Sequence, residues 1–212
     1  MPNPPPWDRR DLRTYSRKRR CFEPPFTDAP GALIEIRAGR MVDAVRLSLM
    51  LEASATLIVD WLREIGLTVR LAELGAGTFL PGVTIEPGGI IVDPERLLYP
   101  GDLLHEAGHL AVMAPAQRAV AESNAGSDMG DEIAAQTWSY AAAVHLGLPA
   151  EIVFHASGYK GAAETLIGVY RDGKAGVPLL QWMGLTLDSK RASAASVPAY
   201  PHMIRWLRGE AD

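Results

Sequence analysis

The segment His105-Glu106-Ala-Gly-His109 constrains this chain more than any other. Two imidazoles four residues apart share one face only on a helix, where they lie about 40° apart in projection and one turn up. In that arrangement both can reach a single tetrahedral metal through bonds of about 2.0–2.1 Å. Glu106 cannot share the position of its neighbour. It projects over the open side of the metal, where a bound water would lie, and is suited to take that water's proton as it attacks a carbonyl. The motif therefore predicts a helix over about Asp102–Met113, ended by Pro115.

A catalytic zinc takes three protein ligands and keeps one position open. A third histidine six residues on is excluded, because Val112 and Pro115 stand where that longer pattern needs glycine and histidine. Glu132 is the best-placed third ligand. It opens a second predicted helix, Asp131–Leu146, and Ala135 on the same face is small enough to let the two helices approach closely. Gln136 is placed to accept a hydrogen bond from a ligand imidazole. Asp128, Asp131, His145 and His202 remain alternatives. Tetrahedral-intermediate chemistry also needs an oxyanion donor, for which Tyr140, His155, Tyr159 and Lys160 are candidates. Tyr159 is preferred, because its glycine-flanked loop suits it to reach a cleft.

The surrounding pattern is mixed. Val42, Val45, Leu49, Ala53, Leu57, Trp61 and Ile65 recur at helical spacing over Met41–Ile65, and Gly66 supplies a stop. Leu67–Leu71 alternates like a strand, Gly75 to Gly82 breaks the chain, and Gly89–Asp93 reads as a second strand. Three short helices are expected at Ala162–Tyr170, Val177–Met183 and Pro201–Leu207, with the Ala/Ser stretch 192–196 as a linker before the last.

Composition excludes several classes. Of 212 residues, 48% are hydrophobic and 22% charged, so most of the chain is not disordered. The single cysteine, Cys21, rules out an intrachain disulfide framework and is badly placed as a nucleophile. No uncharged apolar run approaches the roughly 18 residues that span a bilayer, and no signal-peptide core follows the basic start. The chain is expected to be cytoplasmic, with no membrane partner and an unknown oligomeric state.

Charge is lopsided. Residues 1–20 carry seven Lys/Arg against Asp8 and Asp11, a net of +5, which leaves −9 on the rest against −4 overall. Seven of the sixteen prolines fall in residues 1–30, which reads as an extended or disordered arm. Residues 31–150 form the expected catalytic domain, and 151–212 a helical extension packed on it. Nucleic acid binding through the arm is a minor reading.

Taken in order, the motifs resemble a known family. His-Glu-x-x-His with Glu-x-x-Ala some twenty residues later looks like the glutamate-ligand zincins (gluzincins). The frame Gly-Leu-Thr-Val, Gly-Gly-Ile-Ile-Val-Asp, His-Glu-Ala-Gly-His-Leu, Asp-Glu-Ile-Ala-Ala is similar to the minimal metallopeptidases of the ImmA/IrrE type, over residues 50–150. The resemblance implies an α+β, minimal zincin-like fold, with a small mixed sheet on the two motif helices. It implies one zinc ion on His105, His109 and Glu132, with Glu106 as general base. It also implies a strand near Ile90–Val92 that borders the cleft and pairs with a protein or peptide substrate. The alternative is a metal-binding regulatory protein of the same fold with little turnover.

Overall fold

The computed structural model describes residues 33–122, 128–159 and 161–210, and of residues 33–48 only the helical backbone. The basic arm, with Cys21, lies outside them. The chain divides into two compact units, Met1–Leu47 and Ser48–Asp212. In the first, the described part is the opening of helix α1 (Leu33–Glu64); in the second α1 continues and every other element follows. No helix of the described residues is long and apolar enough to cross a membrane.

The fold is mixed α and β, with seven helices among the described residues and one three-stranded sheet. The buried face of α1 is set by Ile58, Val59, Trp61 and Leu62. Leu49 and Leu57, expected on that face, are instead exposed. Gly66, at φ +101°, then turns the chain into strand β1 (Thr68–Leu71). Strand β2 (Val83–Glu86) was not expected from the sequence. Val83-Thr84-Ile85-Glu86 alternates buried and half-buried, and Pro87-Gly88 follows, with Gly88 at φ +75°. Proline then glycine at the two central positions is the type II turn signature, so the hairpin into β3 (Gly89–Val92) had a readable signal.

The sheet order is β1-β3-β2, with β1 parallel and β2 antiparallel to β3. Both edges of β3 are thus occupied. This corrects the expectation that Ile90–Val92 is the free strand of the cleft; among the described residues no strand pairs with the outer edge of β2, where the Val83 amide turns back to the Leu80 carbonyl. Gly89 permits the parallel pairing, since a Cβ there would lie 2.0 Å from the Thr68 carbonyl oxygen.

Helix α2 (Gly101–Val112) carries the motif and buries Leu103, Leu104 and Leu110 completely. Each such leucine contributes about 2 kcal/mol from area removed from water. Pro115 does not simply end it; it opens a separate single-turn helix, α3 (Pro115–Arg118). Arg118 donates to the carbonyls of Leu110 and Met113, which the end of α2 leaves without helical partners, and to that of Arg208. Helix α4 (Met129–His145) follows, then a 3-10 turn (Ala150–Ile152), α5 (Ala163–Arg171), α6 (Val177–Trp182) and α7 (Ser189–Ala195).

Two expectations for the C-terminal stretch are corrected. The Ala/Ser segment is not a linker but the body of α7, which Asp188 caps by accepting from the Arg191 amide. Residues 201–207 are not helical. Their backbone bonds go elsewhere: the Ile204 amide to Leu185, and the Trp206 carbonyl to the Trp138 indole, while Arg208 next door donates to Ala111.

Candidate metal centre

Three donors converge where α2 meets α4. His109 Nε2 lies 3.3 Å from His105 Nε2 and 3.2 Å from Glu132 Oε2, and His105 Nε2 lies 3.8 Å from Glu132 Oε1. Bonds of about 2.05 Å at a tetrahedral angle place neighbouring ligand atoms about 3.3 Å apart. The two separations made by His109 fit that value and the one from His105 to Glu132 Oε1 is wider at 3.8 Å; the group could hold a metal ion. The donor set, two imidazoles and one carboxylate, suits a zinc position with an open site. The Nδ1 atoms of both rings are buried without a hydrogen-bond partner. Each ring therefore directs its polar contacts through the nitrogen that faces the cluster.

Glu132 is placed at a helix start and held ionised by its neighbours. Asp128 caps α4 by accepting from the Gly130 and Asp131 amides, so Glu132 sits in the first turn, where the helix dipole favours negative charge. The hydrogen bond from His109, with help from His105 and Gln136, holds its carboxyl down at about 2 against the cost of burial. Burial lowers His105 from 6.5 to about 4, with repulsion from His109 adding to it, so the ring is neutral at physiological pH, as a ligand must be.

Close helix approach makes the convergence possible. A Cβ on Gly108, inside the motif, would lie 2.7 Å from the Ala135 carbonyl oxygen and 2.9 Å from Ser139 Oγ. Ser139 Oγ in turn donates within this interface, reaching the carbonyls of Leu104 and Ala135. Gly108→Ala gains about 1 kcal/mol of helix propensity but costs about 2–3 kcal/mol of overpacking, the upper part of the usual range because the nearest atom is backbone. The expected net is a destabilisation of about 1–2 kcal/mol, read as a lower urea midpoint at unchanged slope. An unchanged or higher midpoint would show the helices are not in contact there.

Glu106 is not one of the three converging donors, although the charges of His109 and Glu132 both bear on its carboxyl. It lines a cleft of about 370 Å³ together with Gly75, Gly77, Thr78, Phe79, Leu80, Val83 and Thr84. The last two belong to β2, so the edge strand borders the cleft that the general-base candidate faces. Burial, opposed by His109 and reinforced by Asp102 and Glu132, raises its carboxyl from 4.5 to about 7. A carboxyl at that value is matched to proton transfer near neutral pH.

The remaining candidates separate. Tyr159 packs against Phe154 (ring centroids 5.4 Å) and lies edge-on to His155 at 6.2 Å. Burial raises its hydroxyl above the ordinary value of 10, and the charge of Glu132 adds to the shift, so the hydroxyl keeps its proton beside the centre. His155 is pinned: its Nε2 lies 3.2 Å from Asp102 Oδ1 and its ring stacks on Tyr99 at 3.8 Å. Tyr140 stacks on Tyr200, and the charges that bear on it are those of Arg171, Asp172 and Glu151 rather than those of the cluster. Lys160 lies outside the described residues. Asp128 is used as the cap, and His145 is exposed against Trp61 and Trp206. Asp131 and His202 are not in the cluster.

Gln136 corrects an expectation. It does not accept from an imidazole; its Nε2 donates to Glu132 Oε1, and its Oε1 accepts from the Tyr170 hydroxyl. Tyr170 and Asp102 were missed by sequence reasoning. Asp102, three residues before His105 on the motif helix, had a spacing signal; Tyr170 had none.

No family model matches the chain, and neither does any curated protein or solved structure.

Proposed function

We propose that the chain is a zinc-dependent metallopeptidase with a minimal zincin-like fold, acting on a protein or peptide, as the motif resemblance to the ImmA/IrrE type implies. The carrying observation is the convergence of His105 Nε2, His109 Nε2 and the Glu132 carboxylate within 4.8 Å of one another, with Glu106 next along the helix facing a cleft. His105, His109 and Glu132 would hold the ion. Zinc, when bound, polarises a scissile carbonyl and makes water more acidic.

The chain's own groups do the rest. Glu106 takes the proton of the attacking water and passes it to the leaving amine. The outer edge of β2 offers backbone donors and acceptors to an extended peptide lying beside Glu106. Tyr159, protonated throughout the working range, is the preferred donor to the oxyanion.

The test uses the full chain, loaded with zinc, on a mixture of unmodified peptides, with new termini read by mass spectrometry. Cleavage is expected, is lost when 1,10-phenanthroline strips the metal, and returns when zinc is added. Cleavage that survives complete metal removal contradicts the proposal.

A further inference from the structure

Helix α5 lies in the part of the chain that no motif covers, yet it sends one polar link into the metal centre. Tyr170, in its last turn, is only 3% exposed, and its ring stacks on Phe154 with centroids 5.2 Å apart. Its hydroxyl meets Gln136 Oε1, and Gln136 Nε2 meets Glu132 Oε1.

The direction of this chain follows from what each group can do. An ionised carboxylate only accepts, so Glu132 draws the NH₂ end of the Gln136 amide. The amide oxygen then faces Tyr170, which must donate. Burial and the charge of Glu132 raise the phenol to about 12, so it holds the proton that it donates. Oε1 of Glu132, which takes the amide hydrogen, lies 3.8 Å from His105 Nε2, while Oε2 comes closer to the cluster, 3.2 Å from His109 Nε2.

We propose that Tyr170, acting through Gln136, is a positioning residue for the third metal ligand: it fixes the amide that holds Glu132 Oε1 and so presents Oε2 to the metal. The inference rests on reading His105, His109 and Glu132 as a zinc site. It assigns the otherwise unplaced region after residue 150 a specific task. Outer hydrogen bonds of this kind commonly change metal affinity by about 10–100-fold.

Tyr170→Phe is the direct test, since it keeps the ring against Phe154 and removes only the hydroxyl. Tyr200→Phe is the matched control. Tyr200 is half-buried against the same core, and its hydroxyl donates to the Thr137 carbonyl on the same helix α4, but it does not lead to a ligand. Zinc affinity is measured on the full chain by competition with a chromophoric chelator, and metal-free stability by urea unfolding. Tyr170→Phe is expected to raise the zinc Kd about tenfold. Tyr200→Phe is expected to leave the Kd within about twofold, while both variants, each having lost one hydroxyl hydrogen bond, lower metal-free stability to a similar extent. Tyr170→Phe combined with Gln136→Leu should bind zinc no more weakly than Gln136→Leu alone, because both act through one chain. Cobalt(II) in place of zinc should give a visible spectrum altered by Tyr170→Phe and not by Tyr200→Phe.

An unchanged Kd in Tyr170→Phe, equal weakening in Tyr200→Phe, or additive effects in the double variant would overturn the inference while leaving the zinc site standing. A wild-type chain that binds no zinc would remove the site itself, and the inference with it.

Discussion

Glu106→Gln is expected to abolish peptide hydrolysis, by about 1,000-fold or more, while zinc binding is retained. The amide matches the carboxylate in shape but cannot take a proton from water. Glu106 is not among the three converging donors, so the metal should stay. The same change should make the metal-free protein more stable at pH 8. In the fold Glu106 titrates at about 7 against an ordinary 4.5, so the folded state binds more protons than the unfolded state between those values. Stability from this group is therefore present below pH 4.5 and lost as pH rises through 7, a loss of about 3 kcal/mol. His105 has the opposite sign. Its folded value of about 4 lies below the ordinary 6.5, so its contribution is present above 6.5 and lost as pH falls through 4. In the wild-type metal-free chain these two slopes oppose each other between pH 4.5 and 6.5. In Glu106→Gln the opposing slope of Glu106 is gone, so stability should climb more steeply with pH across that window than in the wild type. Urea unfolding at several pH values, with zinc removed, reads this directly. Unaltered peptide cleavage by the variant would remove Glu106 as the general base, whereas a wild-type chain that holds zinc and cleaves nothing would favour the binding protein of the same architecture.

His109→Ala is expected to remove zinc binding. Structural zinc sites gain about 10–16 kcal/mol from three or four ligands, so the loss of one costs about 3–4 kcal/mol, or two to three orders of magnitude in Kd. Two further consequences follow from the neighbours of His109. Glu132 loses the hydrogen bond that contributes most to holding its carboxyl near 2, so that value should rise toward 4.5. Zinc at about 1,000 times the wild-type Kd should stabilise the wild-type chain by about 4 kcal/mol and the variant by only about 0.4–1.4 kcal/mol. A thermal melt with and without zinc measures the difference. Equal stabilisation of both proteins would mean that the metal binds elsewhere.

The parts of the site that could be read from the sequence are those fixed by local geometry. His105, Glu106 and His109 depend only on helical spacing, and Glu132 with Ala135 depends on one further helix whose small face must meet the first. The contact of Gly108 with Ala135 and Ser139 is the physical form of that expectation. The role of Gln136 was misjudged because its second partner, Tyr170, is 34 residues further on and its position is set by packing on Phe154. The final residues before 210 failed as a helix for a similar reason: Leu185, Trp138 and Ala111 are the partners of residues 204, 206 and 208, all distant in the chain. Strand β2 was overlooked among breakers, although its alternation and the Pro87-Gly88 turn were readable. The exposed Leu49 and Leu57 show the limit of periodicity, because a helix with apolar residues on more than one side does not declare which side the core takes.

The most direct test is X-ray absorption at the zinc edge on the full chain, loaded with one equivalent of zinc. The account predicts two imidazole nitrogens at about 2.0–2.1 Å and a carboxylate oxygen at about 2.0–2.2 Å, with the imidazole signature reduced in His109→Ala. A shell of oxygen atoms without imidazole, or one that His109→Ala leaves unchanged, would contradict it.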